Sequence, residues 1–297
     1  MKTKAKLVLG LSLLTAATLT AGATGTFAWF TTNRKATATF NNITAKSVEG
    51  SLTIAMGTMT DGTVTTDGKL TGDSATTTAT LSGATSTTTD VSSEDGVTFA
   101  HPNWTSTAGN TENDGVNGIK NVSDINTYGK KGYWTAYWVA LQNNGGSAAD
   151  VYLNKGSVVT AKDDKKEADK AAAKWTRVAI NVAGTGGEPQ SITKSGTKVI
   201  QGSDAQTNFV APDASDATSK KYTAKPVTIS ALQNLADVVV ATGNVSAQKL
   251  VKIPSNSKQY LTVSVWLEGT AATPQDAAIG GSVNVTLNFA ALTAANA

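Results

Sequence analysis

The residue types that most often carry out catalysis are scarce in this chain. Of its 297 residues none is cysteine and one, His101, is histidine. The chain therefore has no thiolate nucleophile and no disulfide framework, and it cannot form a metal site with several histidine ligands. A Ser-His-Asp triad would need His101 as its base, but this histidine, beside Pro102 and Trp104, is predicted to lie in a loop. The sequence signatures of metalloproteases, α/β-hydrolases, P-loop proteins and dinucleotide-binding enzymes are also missing. We therefore expect a protein that is not an enzyme.

Three evenly spaced aspartates are the candidate metal ligands of the sequence. Asp61, Asp67 and Asp73 lie in a glycine-rich segment, and Ca²⁺ accepts oxygen ligands of this kind. The spacing matches no EF-hand loop, and Asp-Gly turns in a solvated acidic loop explain it more simply. We expect no cofactor, and calcium at these aspartates is the alternative.

The N-terminus has the features of a secretory signal peptide. Lys2, Lys4 and Lys6 precede an uncharged apolar run over residues 7–19, and small residues follow up to Ala28. This order is typical of an export signal, and the run is short for a membrane span. Cleavage after Ala28 would make Trp29 the first residue of the mature chain, whereas an uncleaved membrane anchor is the alternative.

Signal cleavage changes the interpretation of the positive charge. The chain has 25 Lys and Arg against 22 Asp and Glu. The three lysines of residues 1–28 leave with the signal, and no acidic residue leaves with them, so the mature chain has 22 of each. With no basic patch we expect no nucleic-acid binding, and little repulsion opposes self-association. The mature protein is expected outside the cell or at its surface, without a membrane partner.

Short runs of alternating apolar and polar residues predict many strands. Residues 131–142 are apolar on both faces, with Trp134 and Trp138 on one and Tyr137 and Val139 on the other, which predicts a strand buried on both sides. The other predicted strands are residues 36–45, 51–56, 149–153, 175–182, 259–267 and 281–289. The sequence Asn-Asn-Gly-Gly at 143–146 predicts a hairpin turn before the strand at 149–153.

Two short helices and one long insertion complete the predicted organisation. Residues 163–174 have acidic residues first and basic residues last, as a short helix should, and residues 229–240 have leucines at helical spacing. Residues 57–119 are rich in Thr, Ser, Gly and Asp, and their low-complexity stretch 76–90 predicts either a flexible surface insertion or a set of polar strands. Apart from Phe99 and Trp104 this insertion has few large apolar residues, so we expect it to contribute little to the core. The predicted fold is an all-β, jelly-roll-like antiparallel β-sandwich with short helices.

Four segments form a pattern known from one protein family. The junction at residues 25–30 is GTFAWF, and ATATF at 36–40 is followed by SLTIA at 51–55. The middle segment at 139–153 is VALQNNGGSAADVYL, and the late segment at 259–270 is QYLTVSVWLEGT. Together these resemble the camelysin/TasA-type family of secreted bacterial biofilm-matrix proteins, in which a specialised peptidase cuts after an aromatic-Ala pair. The insertion has no counterpart in that family.

The resemblance implies a jelly-roll-like sandwich that serves as a structural subunit of an extracellular fibre or biofilm matrix. Copies of the chain would join head to tail, with minor fibre or anchoring proteins as further partners. Members have also been described as metalloproteases, but one histidine and no cysteine leave too few zinc ligands here. The competing interpretation is a monomeric surface adhesin or carbohydrate-binding sandwich, which exposure of Trp134 and Trp138 on a common groove would favour.

The N-terminal segment is the predicted means of joining. Three parts are expected along the chain: a signal peptide at 1–28, an extended segment at 29–45, and a sandwich at 46–297 that carries the insertion. Residues 31–45 contain no proline and little charge, so they can add as a strand to the open edge of a neighbouring sheet. The side chains offered to that groove are those of Ala36, Ala38, Phe40 and Ile43. Pairing of this segment within its own domain is the alternative.

Overall fold

The computed structural model describes fourteen parts of the chain, and all structural statements below concern them. These are residues 38–49, 52–58, 78–82, 87–88, 91–93, 95–104, 116–121, 133–182, 198–201, 208–212, 222–226, 231–268, 278 and 280–293. They form sixteen strands, one α-helix and two short 3-10 helices. The predicted all-β sandwich with short helices is confirmed, while the jelly-roll assignment stays a prediction.

Two sheets contain most of the strands. In spatial order the first sheet consists of β14 (Lys249–Ile253), β8 (Ala149–Leu153), β16 (Gly281–Thr293), β1 (Ala38–Glu49) and β3 (Thr78–Ser82). Two further strands join this sheet: β4 (Thr87–Thr88) pairs with β1, and β9 (Val158–Ala161) pairs with β16. The second sheet consists of β11 (Lys198–Gln201), β10 (Thr176–Val182), β15 (Ser257–Leu267), β7 (Thr135–Asn143) and β2 (Leu52–Thr58). Two ribbons pair β5 (Ala100–Trp104) with β6 (Val116–Asn121), and β12 (Asn208–Pro212) with β13 (Tyr222–Pro226).

The main core lies between the two sheets. Every second residue of a strand points to the same face, so β16 turns Val283, Val285 and Leu287 inward while its intervening residues are half-buried. The inner face of β15 contributes Leu261, Val263 and Val265 to the same core. Helix α1 (Glu167–Trp175) packs on this core through Ala172, Ala173 and Trp175.

A second, smaller core lies on the outer face of the second sheet. It contains Trp138 of β7, Trp134 just before that strand, and Tyr260 and Trp266 of β15. Val91 and Phe99 of the Thr-rich insertion pack on these rings. The prediction that β7 is buried on both faces is therefore confirmed, because Tyr137, Val139 and Leu141 belong to the main core.

The insertion contributes strands as well as this packing. Residues 78–82 form β3 and 87–88 form β4, and both pair antiparallel with β1. The alternative of polar strands is thus the correct one for these residues. The histidine predicted to lie in a loop, His101, lies within β5 instead.

Three local predictions were wrong. The segment at 143–146 is not a hairpin turn, because β7 and β8 belong to different sheets and the chain crosses between them. The described part of the predicted helix at 229–240, residues 231–240, contains only a 3-10 turn at Leu232–Asn234. Helix α1 begins at Glu167, four residues after the predicted start at 163, because the side chain of Asp163 instead accepts a turn hydrogen bond from the N–H of Lys165.

Candidate assembly site

Strand β1 lies inside the first sheet, between β16 and the edge strand β3, although it comes from the N-terminal part of the chain. Ten of its residues pair with β16, from Ala38 opposite Gly281 to Glu49 opposite Ala290. On its other side five residues pair with β3. The β1–β16 pair is parallel, whereas the other paired strands of both sheets are antiparallel.

Strand β1 also fills a groove in the main core. The side chains of Phe40 and Ala45 are fully buried, while Asn42 on the same strand is exposed. Burying a phenylalanine side chain stabilises a fold by about 2–3 kcal/mol. The strand is therefore held by a ladder of backbone hydrogen bonds and by Phe40 as its largest buried anchor.

The beginning of β16 fits so closely beneath α1 that a side chain at position 281 would force its neighbours to shift. A Cβ at Gly281 would overlap the carbonyl oxygen of Ala168 and lie 2.6 Å from the Cβ of Ala172. Because Gly281 pairs with Ala38, this close approach is located where β1 enters the sheet. A larger residue here would push α1 off the start of both strands.

A buried carboxylate ties α1 to the same place. Asp169 is 2% exposed; its Oδ1 accepts a hydrogen bond of 2.9 Å from the N–H of Ser282, and its Oδ2 accepts one of 3.1 Å from the N–H of Asp163. The ammonium of Lys166 lies 3.3 Å from Oδ1. The charge thus has an ionic partner and two backbone donors, as a buried carboxylate requires.

The edge strand β14 has features that discourage the addition of another strand. Lys252 is exposed, and the ammonium of Lys249 lies 2.7 Å from Oδ2 of Asp150 on β8. A hydrogen bond from this ammonium to Asp150, together with the attraction of the two charges, raises the pKa of Lys249 above its ordinary value. The register also shifts between Lys249 and Val251. Edge lysines and bulges are common protection against unwanted pairing.

Two tryptophans on which the competing carbohydrate-binding interpretation depends, Trp134 and Trp138, are buried. Trp134 and Trp138 have 1% and 0% of their surface exposed. The ring of Phe99 stacks on Trp134 at 4.2 Å between centroids, and Trp138 packs edge-on against Tyr260 at 5.9 Å. In this conformation neither tryptophan can stack on a sugar, so the exposure that would favour that interpretation is absent at these two residues.

Only part of the predicted site can be placed. The structure brings Ala38, Phe40 and Ile43 together on β1, opposite Gly281, Val283 and Val285 respectively. Three kinds of prediction fall outside the described residues: the cleavage site Ala28 and Trp29, the candidate calcium ligands Asp61, Asp67 and Asp73, and the first donor residue Ala36. The described β1 also continues four residues beyond the predicted end at 45, to Glu49.

Two structurally important residues had no clear signal in the sequence. Gly281 reads as an ordinary strand start, and only the approach of α1 reveals why glycine is needed. Asn143 reads as the first residue of a turn, yet it is fully buried and its amide bonds to three carbonyl oxygens. The four-residue Asn-Asn-Gly-Gly sequence indicated a special local conformation but not the distant partners.

The described residues contain no group of three or more His, Cys, Asp and Glu side chains that could hold a metal ion. No helix among them is long and apolar enough to cross a membrane.

Comparison with known proteins adds no assignment, since no protein family, curated protein or solved structure matches the chain.

Proposed function

We propose that this chain is a secreted structural subunit of an extracellular fibre or cell-surface matrix, whose copies join by exchange of the N-terminal strand. One observation carries the proposal. Strand β1 is paired on both sides within its sheet, but it lies near the start of the chain and pairs in parallel with β16, the last of the described strands. The same groove could accept β1 from another copy, as in β-strand addition.

Exchange would conserve the interactions that hold β1 in place. The ten pairs with β16 and the burial of Phe40 would form between two chains instead of within one. At about 1 kcal/mol for each backbone hydrogen bond, such a ladder is strong enough to join subunits. Because the same bonds are broken and formed, protein concentration would decide between closed monomers and linked chains.

The position of β1 in the chain favours linear growth. Only two residues, Gly50 and Ser51, separate β1 from β2, which belongs to the other sheet. Each copy would give its β1 to one neighbour and receive β1 from another. This head-to-tail contact is heterologous and does not close, so it generates a filament. The signal peptide, by holding the segment before β1 until cleavage, would delay assembly until export.

Electron microscopy of the mature chain beginning at Trp29 tests the proposal. We expect filaments at high protein concentration, and the absence of filaments across salt, pH and calcium conditions would contradict it.

Thr44 and Thr286 are directly paired on the outer face of the first sheet, at a separation suited to a disulfide. Because the chain has no cysteine, T44C/T286C oxidised as a dilute monomer should lock β1 in its own domain and prevent filaments.

A matched pair controls for the effect of any disulfide. Thr160 on β9 and Asn284 on β16 are also paired on the outer face, but neither strand is exchanged in the proposed assembly. We expect oxidised T160C/N284C to form filaments like the parent chain. Loss of filaments in both variants would mean that the disulfides prevent assembly by distorting the sheet, and not by holding β1 in place.

A further inference from the structure

The crossing from β7 to β8, residues 144–148, contains a pair of residues that can react with each other without an enzyme. Asn144 is exposed, and Gly145 follows it without a side chain. The backbone nitrogen of a glycine can closely approach the side-chain carbon Cγ of a preceding asparagine, because no Cβ stands in the way. Gly146 is also exposed, and a Cβ there would meet no atom within 4 Å, so water reaches this segment.

The reaction is deamidation through a succinimide ring. The nitrogen of Gly145 loses its proton and bonds to Cγ of Asn144, while the bond from Cγ to Nδ2 breaks and ammonia leaves. Water then opens the ring at one of its two carbonyl carbons. The product is aspartate, or isoaspartate, in which the main chain passes through the side-chain carbon and is one carbon longer. Water is the co-reactant, and no electrons are exchanged.

Both reacting groups make hydrogen bonds in the folded chain. The N–H of Gly145 donates to Oδ1 of Asn143 at 2.9 Å, so the proton that the reaction removes already has an acceptor. Nδ2 of Asn144 donates to the hydroxyl of Thr53 at 3.1 Å, and this Nδ2 is the nitrogen that leaves as ammonia. Both bonds are lost when the ring forms, so each of them raises the barrier of the reaction.

The bond to Asn143 is the stronger restraint. Asn143 is fully buried, and its Nδ2 donates to carbonyl oxygens that include those of Ser147 and Ile253. A buried side chain with several partners keeps its acceptor atom in place beside Gly145. The bond from Asn144 to Thr53 is exposed, and water replaces an exposed bond at little cost.

We propose that Asn144 is a site of self-modification by deamidation, and that the hydrogen bond from Gly145 to Asn143 sets its rate in the folded chain. Either product has a negative charge where the chain now has a neutral amide. The isoaspartate form also lengthens the main chain of the crossing between β7 and β8. This chemistry uses neither β1 nor its groove, so it does not depend on strand exchange.

Incubation of the purified protein at neutral pH, followed by peptide mapping with mass spectrometry, measures the modification. We expect Asn143→Ala to accelerate deamidation at Asn144 about fivefold, which corresponds to about 1 kcal/mol of barrier. Thr53→Ala should accelerate it by about twofold or less, because water replaces the exposed bond. Gly145→Ala should suppress the reaction, since the added Cβ hinders the approach of the nitrogen.

The effect of this bond has to be separated from loss of stability, because Asn143→Ala also weakens the fold. Asp169→Ala is the matched control, since it removes another buried polar side chain and leaves Asn143 in place. The second Asn-Gly pair of the chain, Asn117-Gly118 in β6, is an internal reference in the same digest. We expect neither Asp169→Ala to accelerate the reaction at Asn144 nor Asn143→Ala to accelerate it at Asn117.

Two results would overturn the proposal. Equal acceleration by Asp169→Ala, or a parallel rise at Asn117, would mean that unfolding controls the reaction. A rate at Asn144 that stays at the parent value in Asn143→Ala, including no reaction in either chain, would mean that the bond to Asn143 does not set the rate.

Discussion

Replacing Asn143 by alanine tests how the chain crosses from the second sheet to the first. This fully buried residue ends β7. Its Nδ2 donates to the carbonyl oxygens of Ser147 at 2.8 Å, Ile253 at 3.2 Å and Pro254 at 3.1 Å, and its Oδ1 accepts from the N–H of Gly145 at 2.9 Å. One amide therefore joins the crossing at 144–148 to the end of β14.

The magnitude follows from the number of bonds that one amide can make. Its Nδ2 has two hydrogens, which the three carbonyl oxygens share, and its Oδ1 accepts one further bond. At a net contribution of about 1 kcal/mol for each of three bonds, the upper value is near 3 kcal/mol. Water can replace the partly buried bonds to Ser147 and Pro254, whereas the bond to Ile253 is buried. We therefore expect Asn143→Ala to lower the free energy of unfolding by about 2 kcal/mol, measured by guanidinium denaturation of the mature chain.

The neighbouring asparagine is the control. Asn144 is exposed and donates one hydrogen bond of 3.1 Å to the hydroxyl of Thr53, so Asn144→Ala should cost about 0.5 kcal/mol or less. Asn143→Asp should cost more than Asn143→Ala at neutral pH, because it buries a carboxylate against three carbonyl oxygens. Part of that loss should return in acid, since a protonated carboxyl can donate one bond. Equal stability of the two alanine variants would refute this reasoning.

Three further substitutions test the surroundings of β1, each by its change in the free energy of unfolding. Gly281→Ala should cost about 1–3 kcal/mol, because its Cβ would overlap the carbonyl oxygen of Ala168; an unchanged stability would mean that α1 can move freely. Phe40→Ala should cost about 3–5 kcal/mol, as expected for a fully buried phenylalanine, and a loss below 1 kcal/mol would show that β1 is not anchored in the core. Asp169→Ala should cost about 2–3 kcal/mol because the N–H of Ser282 loses its acceptor, whereas a neutral result would mean that water replaces the carboxylate.

The strands were predictable where a local pattern determines them. Alternation in residues 131–142 indicated a strand with two apolar faces, and the structure places Trp138 in one core and Val139 in the other. The strands at 149–153, 259–267 and 281–289 were predicted for the same reason. Side-chain alternation is a property of each strand alone, so a single sequence is sufficient to detect it.

Predictions failed where side chains from distant parts of the chain compete for the backbone. The leucine spacing of residues 229–240 favoured a helix, but the N–H of Val238 donates to Oδ1 of Asn154 at 2.8 Å. The N–H of Val239 donates to Oδ1 of Asp237 in a local turn. These two donors are not available to helical carbonyl oxygens, and the hydrophobic pattern carries no sign of Asn154.

The order of the strands in the sheets also could not be predicted from local sequence patterns. The Asn-Asn-Gly-Gly sequence indicates the end of β7, but it does not specify whether the next strand joins the same sheet. The parallel pairing of β1 with β16 joins residues more than two hundred positions apart. The need for glycine at 281 depends on α1, which reaches it from another part of the chain.

Cross-linking of assembled filaments tests strand exchange most directly. Reduced T44C/T286C chains are assembled first and oxidised afterwards, and the products are separated on a denaturing, non-reducing gel. If β1 of one copy pairs with β16 of the next, the disulfide joins different chains and a ladder of covalent multimers appears. The T160C/N284C filaments should give monomers only. A single monomer band from intact T44C/T286C filaments would mean that β1 stays in its own domain, and it would contradict the proposed assembly.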